Sequence, residues 1–154
     1  MKKYFYLCLI ALGCMISFTA CGDDDDDDVT LEDLENAEST DAKCTIKDNG
    51  TTLVLTVTAK YNGVSASSVT TATFNGKSDD AICIKAEEVD TYPNESIAKE
   101  MYEEAVEEDG AENVKLSGKK VIINLADELE GCTKAEVRAY MDLIKMYVDN
   151  GGNV

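Results

Sequence analysis

The sequence contains no histidine, no tryptophan and a single proline, Pro93. Without histidine the chain lacks the commonest general base, the imidazole of a catalytic triad and the commonest metal ligand. Positive charge is also scarce. Lys and Arg number 14 against 31 Asp and Glu, which gives a formal net charge of −17 and an isoelectric point near 4.2. A nucleic-acid surface needs a basic footprint to neutralise phosphates, so that class of partner is excluded. Apolar material is not what is missing. With 44% hydrophobic residues in 154, the chain has enough for one core and too much for global disorder. The length suits one domain with a tail.

The first segment reads as an address. Lys2 and Lys3 give a short cationic start, residues 4–16 are almost wholly apolar, and Phe18-Thr19-Ala20-Cys21 follows. This is the form of a secretory signal. The apolar run ends at Cys21-Gly22 and falls straight into acid, so it is too short for a permanent membrane span, which needs about 20 apolar residues. The small residues before Cys21 resemble the lipobox of bacterial lipoproteins. Six aspartates after it (Asp23, Asp24, Asp25, Asp26, Asp27 and Asp28) make the segment similar to that of Bacteroidota surface lipoproteins. The resemblance covers residues 1 to about 28 and implies location alone. It implies that Cys21 carries the acyl chains (palmitate among them) and becomes the mature N-terminus. It also implies that the aspartates are an export signal and that the chain sits on the outer membrane facing the cell exterior. Two acyl chains suffice physically, because each buried methylene contributes about 0.8 kcal/mol. The aspartates are a poor cation site, since consecutive carboxylates repel and cannot all face one ion.

Dividing the charge by segment sharpens the boundaries. Residues 1–20, the expected signal peptide, carry two bases and no acid. Residues 21–42 carry 11 acids and no base, and residues 43–154 carry 20 acids and 12 bases. Self-repulsion should extend the 21–42 stretch as an acidic, disordered tether reaching at most about 75 Å. Residues 43–154 are then the single folded domain.

Turn signals set the layout of that domain. Asn49-Gly50, Asn62-Gly63 and Asn75-Gly76 each lie beside a segment rich in Thr, Val, Ile or Ala, and Asn-Gly is the strongest short hairpin signal. Three in succession predict a four-strand antiparallel meander. A two-residue loop at Asn49-Gly50 sets Ile46 opposite Leu53 and Cys44 opposite Leu55. Leu53, Leu55, Val57 and Ala59 alternate with a mostly threonine face. The third strand, 64–74, is rich in Ser and Thr. The fourth, 81–89, puts Ile82, Ile84 and Ala86 on one side. After Pro93 the period changes to 3.6, with Asn94 as N-cap and a stripe of Ile97, Ala98, Met101, Tyr102, Ala105 and Val106 ending at Asp109-Gly110. A hairpin over 114–125 places Val121, Ile123 and Leu125 on one face. Thr133 and Glu136 form a capping box ahead of a stripe of Val137, Tyr140, Met141, Ile144, Tyr147 and Val148. The expected fold is α+β: an antiparallel sheet of about six strands with two helices on its apolar face and the threonine face exposed.

Chemistry is harder to find. Of six cysteines, Cys8 and Cys14 leave with the signal and Cys21 takes lipid, so Cys44, Cys83 and Cys132 remain. Their spacing fits no metal or redox motif, and no metal or other cofactor is expected. Either all three stay as buried free thiols, or one disulfide and one free thiol form, as suits an exported protein, with any of three pairings open. A flat meander puts Cys44 and Cys83 roughly 14 Å apart, too far to join. Glu100, Glu103, Glu104, Glu107 and Glu108 crowd the end of the first helix. They are either an acidic patch for a basic partner or cation, or a solvated face. The carboxylate pairs Asp79-Asp80, Glu87-Glu88 and Asp127-Glu128 are expected by chance in so acidic a chain, as are Ser65, Ser67 and Ser68 near Lys60. No catalytic residues are assigned. The functional expectation is a non-enzymatic, surface-anchored binding module with a protein or glycan partner. The alternative is an inhibitor or accessory subunit of an exported enzyme or envelope complex.

Overall fold

The computed structural model describes Thr30, residues 39–61 and residues 63–151. Cys21 and Asp23 through Asp28, and with them the expected signal and export residues, lie outside the described residues. Six strands form one sheet: β1 (Ser39–Asp48), β2 (Thr52–Tyr61), β3 (Val64–Phe74), β4 (Cys83–Thr91), β5 (Val114–Ser117) and β6 (Lys120–Asn124). The order is β1-β2-β3-β4-β6-β5 and every pairing is antiparallel. The helices are α1 (Glu95–Asp109), α2 (Ala126–Leu129) and α3 (Lys134–Asp149). The fold is therefore α+β, with α2 as a third, four-residue helix beside the two that were expected. β1 starts at Ser39, ahead of Lys43, the first residue of the expected domain.

The meander forms, but its first turn is not a two-residue loop. Asp48 is the last partner of Leu53, so Ile46 faces Leu55 and Cys44 faces Val57, two residues away from the expected register. A shift of two leaves every side chain on its face, so the apolar pattern is kept. The physical reason lies in the turn itself. A type I′ turn needs positive φ at both central residues, and here only Gly50 has it, at 85°. The Gly50 N–H instead donates to Asp48 Oδ1 at 2.8 Å, and Asn49 N–H reaches Thr52 O at 2.9 Å. At the second turn Tyr61 pairs directly with Val64, as a two-residue loop requires.

The fourth strand corrects a face assignment. A register irregularity between Thr73 and Phe74 pairs Phe74 with Cys83 but Thr73 with Lys85. The extra residue on β4 turns Ile84 outward, where it is 54% exposed, while Cys83 and Ala86 enter the core at 1% and 0%. Beyond Ala86 strict alternation puts Glu88 and Asp90 on the core face. Tyr92 is buried too.

The helices form where caps and stripes predict. Asn94 accepts the Ile97 N–H at 2.9 Å, and the Thr133/Glu136 capping box is complete. Ile97, Ala98 and Met101 from α1, and Val137, Met141 and Val148 from α3, join one core with Leu53, Leu55, Val57, Ala72, Phe74 and Val121. α3 packs against β1, α1 against β5 and β6, and α2 against β4. The two long helices thus cover opposite flanks of one sheet face, and the central strands β3 and β4 face the space between them. No helix among the described residues is long and apolar enough to cross a membrane.

Candidate functional site

Two places combine polar groups with space, one on each face of the sheet. On the helix side, cross-strand register sets Thr70 opposite Glu88 and Ser68 opposite Asp90, flanked by Leu55, Val57, Val121 and Ile123 on the neighbouring strands. Four polar side chains therefore lie in the middle of an otherwise apolar face. Thr70 Oγ1 donates to Glu88 Oε2 at 3.2 Å. Burial raises both carboxyls. It holds Asp90 well above the usual carboxylate range, with the nearby Glu88 charge adding to the effect. Their effect on each other is uneven, raising Asp90 and offsetting part of the rise at Glu88. Asp90 is 2% exposed and its Oδ1 has no hydrogen-bond partner. A protonated carboxyl leaves only a neutral carbonyl oxygen orphaned there, which costs far less than an orphaned carboxylate. Tyr92 lies close by, its hydroxyl pushed upward by burial and by the carboxylates of Asp90, Glu88 and Glu104.

The space beside this cluster is walled by Leu125, Leu129, Tyr140, Met141 and Ile144 and amounts to about 20 Å³. That holds roughly one water. A glycosidase-type pair needs its carboxyls about 5–9.5 Å apart across a cleft that admits a sugar. The space beside Glu88 and Asp90 is too small to admit one.

The opposite face is open. Its rows run Lys43–Thr58–Ser67–Thr91–Lys120 and Thr45–Thr56–Val69–Val89–Ile122. At the end where the chain enters β1 lies a groove of about 420 Å³ lined by Asp41, Lys43, Thr58, Lys60, Ser65, Ser67 and Thr91, with Ala59 and Ala66 beneath. A backbone irregularity shapes it. The β1–β2 register shifts between Thr40 and Lys43, and Asp41 there takes φ 57°. The bulge lifts the strand edge away from its neighbour. The volume is within the range of small-ligand sites, and the lining offers hydroxyls and two ammonium groups. Ser65 lies opposite Lys60, whereas Ser68 points to the other face beside Asp90, so the three serines do not form one cluster.

The remaining candidates separate. Glu87 faces outward beside Lys85 at 3.6 Å, and Glu88 faces inward. Asp79 and Asp80 are exposed in the β3–β4 loop. There Asp80 is held below the usual carboxylate range by hydrogen bonds from Ser78 and its own backbone. Asp127 is exposed on α2. Glu100, Glu103, Glu104, Glu107 and Glu108 are all on the solvent side of α1, and Lys99 lies 4.0 Å from Glu103. Among the described residues no group of three acidic or sulfur ligands is placed to hold a metal. Cys44, Cys83 and Cys132 are free thiols. Burial pushes the Cys44 thiol up to about 11.

No family model, curated protein or solved structure matches the chain.

Proposed function

We propose that the chain is a surface lipoprotein, anchored through acylated Cys21, whose α+β domain is a non-enzymatic module that binds a hydroxyl-rich ligand, a glycan, on the open sheet face. The supporting observation is the groove of about 420 Å³ between Lys43 and Lys60, floored by small residues and rimmed by Thr58, Ser65, Ser67 and Thr91. Hydroxyl side chains both donate and accept, which suits sugar hydroxyls, and two ammonium groups against the single carboxylate of Asp41 leave the lining net positive, which favours an acidic saccharide. A panel of neutral and acidic oligosaccharides tests this. At least one acidic glycan should be retained, and Ser67→Trp, which fills the groove from an outward position, should weaken retention at least tenfold with the melting temperature unchanged. Retention of none would overturn the glycan reading.

Anchoring has its own test. Cys21→Ser should move the protein out of the membrane fraction, and deleting Asp23 through Asp28 should abolish labelling of intact cells by an impermeant reagent. A Cys21→Ser protein that stays with the membrane would refute the anchor. The alternative, an inhibitor or accessory subunit of an exported enzyme, is supported by the apolar centre of the same face, Val69, Val89 and Ile122 in one row. It expects co-purification with a protein that Ser67→Trp leaves intact.

A further inference from the structure

The sequence leaves three cysteine pairings open, and the fold separates them. Cys44 lies on edge strand β1, three strand spacings from β4, or roughly 14 Å. Its thiol sits in the core near Lys145 and Asp149 of α3. Cys83 and Cys132 are different. The segment between α2 and α3 pairs with the start of β4 through an isolated antiparallel bridge, Ile82 with Thr133. One step further the Cys83 N–H donates to Cys132 O at 2.8 Å, and the Cys83 carbonyl accepts from Gly131 N–H at 3.1 Å. Cys83 thus stands opposite two residues, Gly131 at φ 86° and Cys132, in a glycine bulge next to the Ile82–Thr133 bridge, which keeps Cys132 as its cross-strand neighbour within about the 4.4–6.8 Å between Cα atoms that a disulfide spans. The two thiols are turned to different carbonyls, Cys83 Sγ to Lys85 O at 3.5 Å and Cys132 Sγ to Glu128 O at 3.8 Å. These are weak hydrogen bonds that a χ1 rotation exchanges for a sulfur–sulfur bond.

We infer that Cys83 and Cys132 are a disulfide site: exposed to a thiol–disulfide oxidant, they join into one bond while Cys44 remains a free core thiol. The order of events follows from exposure. Cys132 is partly exposed and Cys83 is 1% exposed. The Cys132 thiolate therefore attacks one sulfur of the oxidant's disulfide and releases one thiolate. The Cys83 thiolate then attacks Cys132 Sγ in the mixed disulfide and displaces the second. The protein loses two hydrogens, and the oxidant leaves as two thiols. Desolvation raises the Cys83 thiol, and the neighbouring Cys132 adds to the rise, so the second step quickens as pH rises. The bond closes a loop that contains the rest of β4, α1, β5, β6 and α2. It fixes the segment that carries Leu129, one wall of the water-sized space beside Glu88, to the sheet.

The full chain carrying Cys8→Ser, Cys14→Ser and Cys21→Ser isolates the three thiols in question. Incubated folded with oxidised glutathione at pH 8, then alkylated and digested without reductant, it should yield a Cys83–Cys132 cross-linked peptide and an alkylated Cys44 only after unfolding. Adding Cys44→Ser should leave the cross-link intact, and adding Cys132→Ser at its partly exposed position should abolish it. Oxidation should raise the melting temperature by at least about 5 °C, reversibly with dithiothreitol. Glutathione retained on Cys132 with Cys83 still free, or a link to Cys44, would overturn the assignment.

Discussion

Replacing Asp90 with asparagine should flatten the pH dependence of stability above the ordinary carboxylate range and make the domain more stable at high pH. The sign follows from burial on the core face. Both Glu88 and Asp90 have folded-state proton affinities raised above those of the unfolded chain, by desolvation first, with the Glu88 charge adding to the rise at Asp90 and the Asp109 charge to that at Glu88. A raised carboxyl contributes stability that is fully present below the unfolded value near 4, and loses it as pH climbs through the folded value. Wherever the folded pair holds one proton that the unfolded chain has released, stability falls by about 1.4 kcal/mol per pH unit. The side-chain amide of the Asp90→Asn variant keeps an N–H donor for the Glu88 carboxylate without a proton to lose. The three exposed carboxylates pulled the other way, Asp48, Asp80 and Glu136, weaken the fold only as pH drops through their lowered values. They leave this window to the pair. Urea midpoints at unit pH steps read the slope. Parallel profiles for the wild-type chain and Asp90→Asn would refute the raised proton affinity of this buried pair.

The second large effect is expected at Lys134, the first residue of α3, which is 4% exposed although it is a lysine. Its ammonium donates to Asp48 Oδ1 at 2.9 Å, Gly50 O at 2.8 Å and Lys77 O at 3.3 Å, with Asp48 Oδ2 also at 2.9 Å. One cation thus ties the helix start to the β1–β2 turn and the β3–β4 loop. Lys134→Met keeps the apolar stem but leaves the carbonyls of Gly50 and Lys77 without this partner. Arg138, 3.3 Å from Asp48, is too exposed to take its place. Loss of hydrogen bonds to a buried charge should cost about 3 kcal/mol, lowering the urea midpoint by about 1–2 M. A midpoint within about 0.2 M of wild type, the scatter of ordinary surface substitutions, would show that the cation is incidental.

Lys134 also shows where the sequence stops being readable. Local rules placed the elements well. Asn94 and the Thr133/Glu136 box mark both long helices, and alternation marks β2, because those signals act over a few residues and tertiary context does not override them. Nothing local says that a lysine at a helix start will be turned inward by a carboxylate 86 residues earlier, or that the Asn49-Gly50 turn will be two residues wider than a type I′ loop. The inward carboxyls were hidden for a related reason. Alternation counted from Ile82 and Ile84 points Glu88 inward among apolar neighbours, and the acidic composition made that pair look incidental. Only the register with Ser68 and Thr70 on β3 shows partners that make burial tolerable. The bulge at Thr73 and Phe74, which turns Ile84 outward, leaves no composition signal either. The groove needed β1, β2 and β3 in register together with the irregular step at Asp41.

The position of β1 at the edge of the sheet has a mechanical consequence. The chain enters the domain at Ser39, on a strand held by a neighbour on one side only. Tension arriving from residues before Ser39 loads the first β1–β2 rungs at Ser39–Tyr61 and Thr40–Lys60, which break in sequence rather than all at once. The groove lined by Asp41, Lys43 and Lys60 lies at that same corner. Peeling of these first rungs would open the groove before it reaches Cys44 and the part of β1 held under α3 near Lys145 and Asp149.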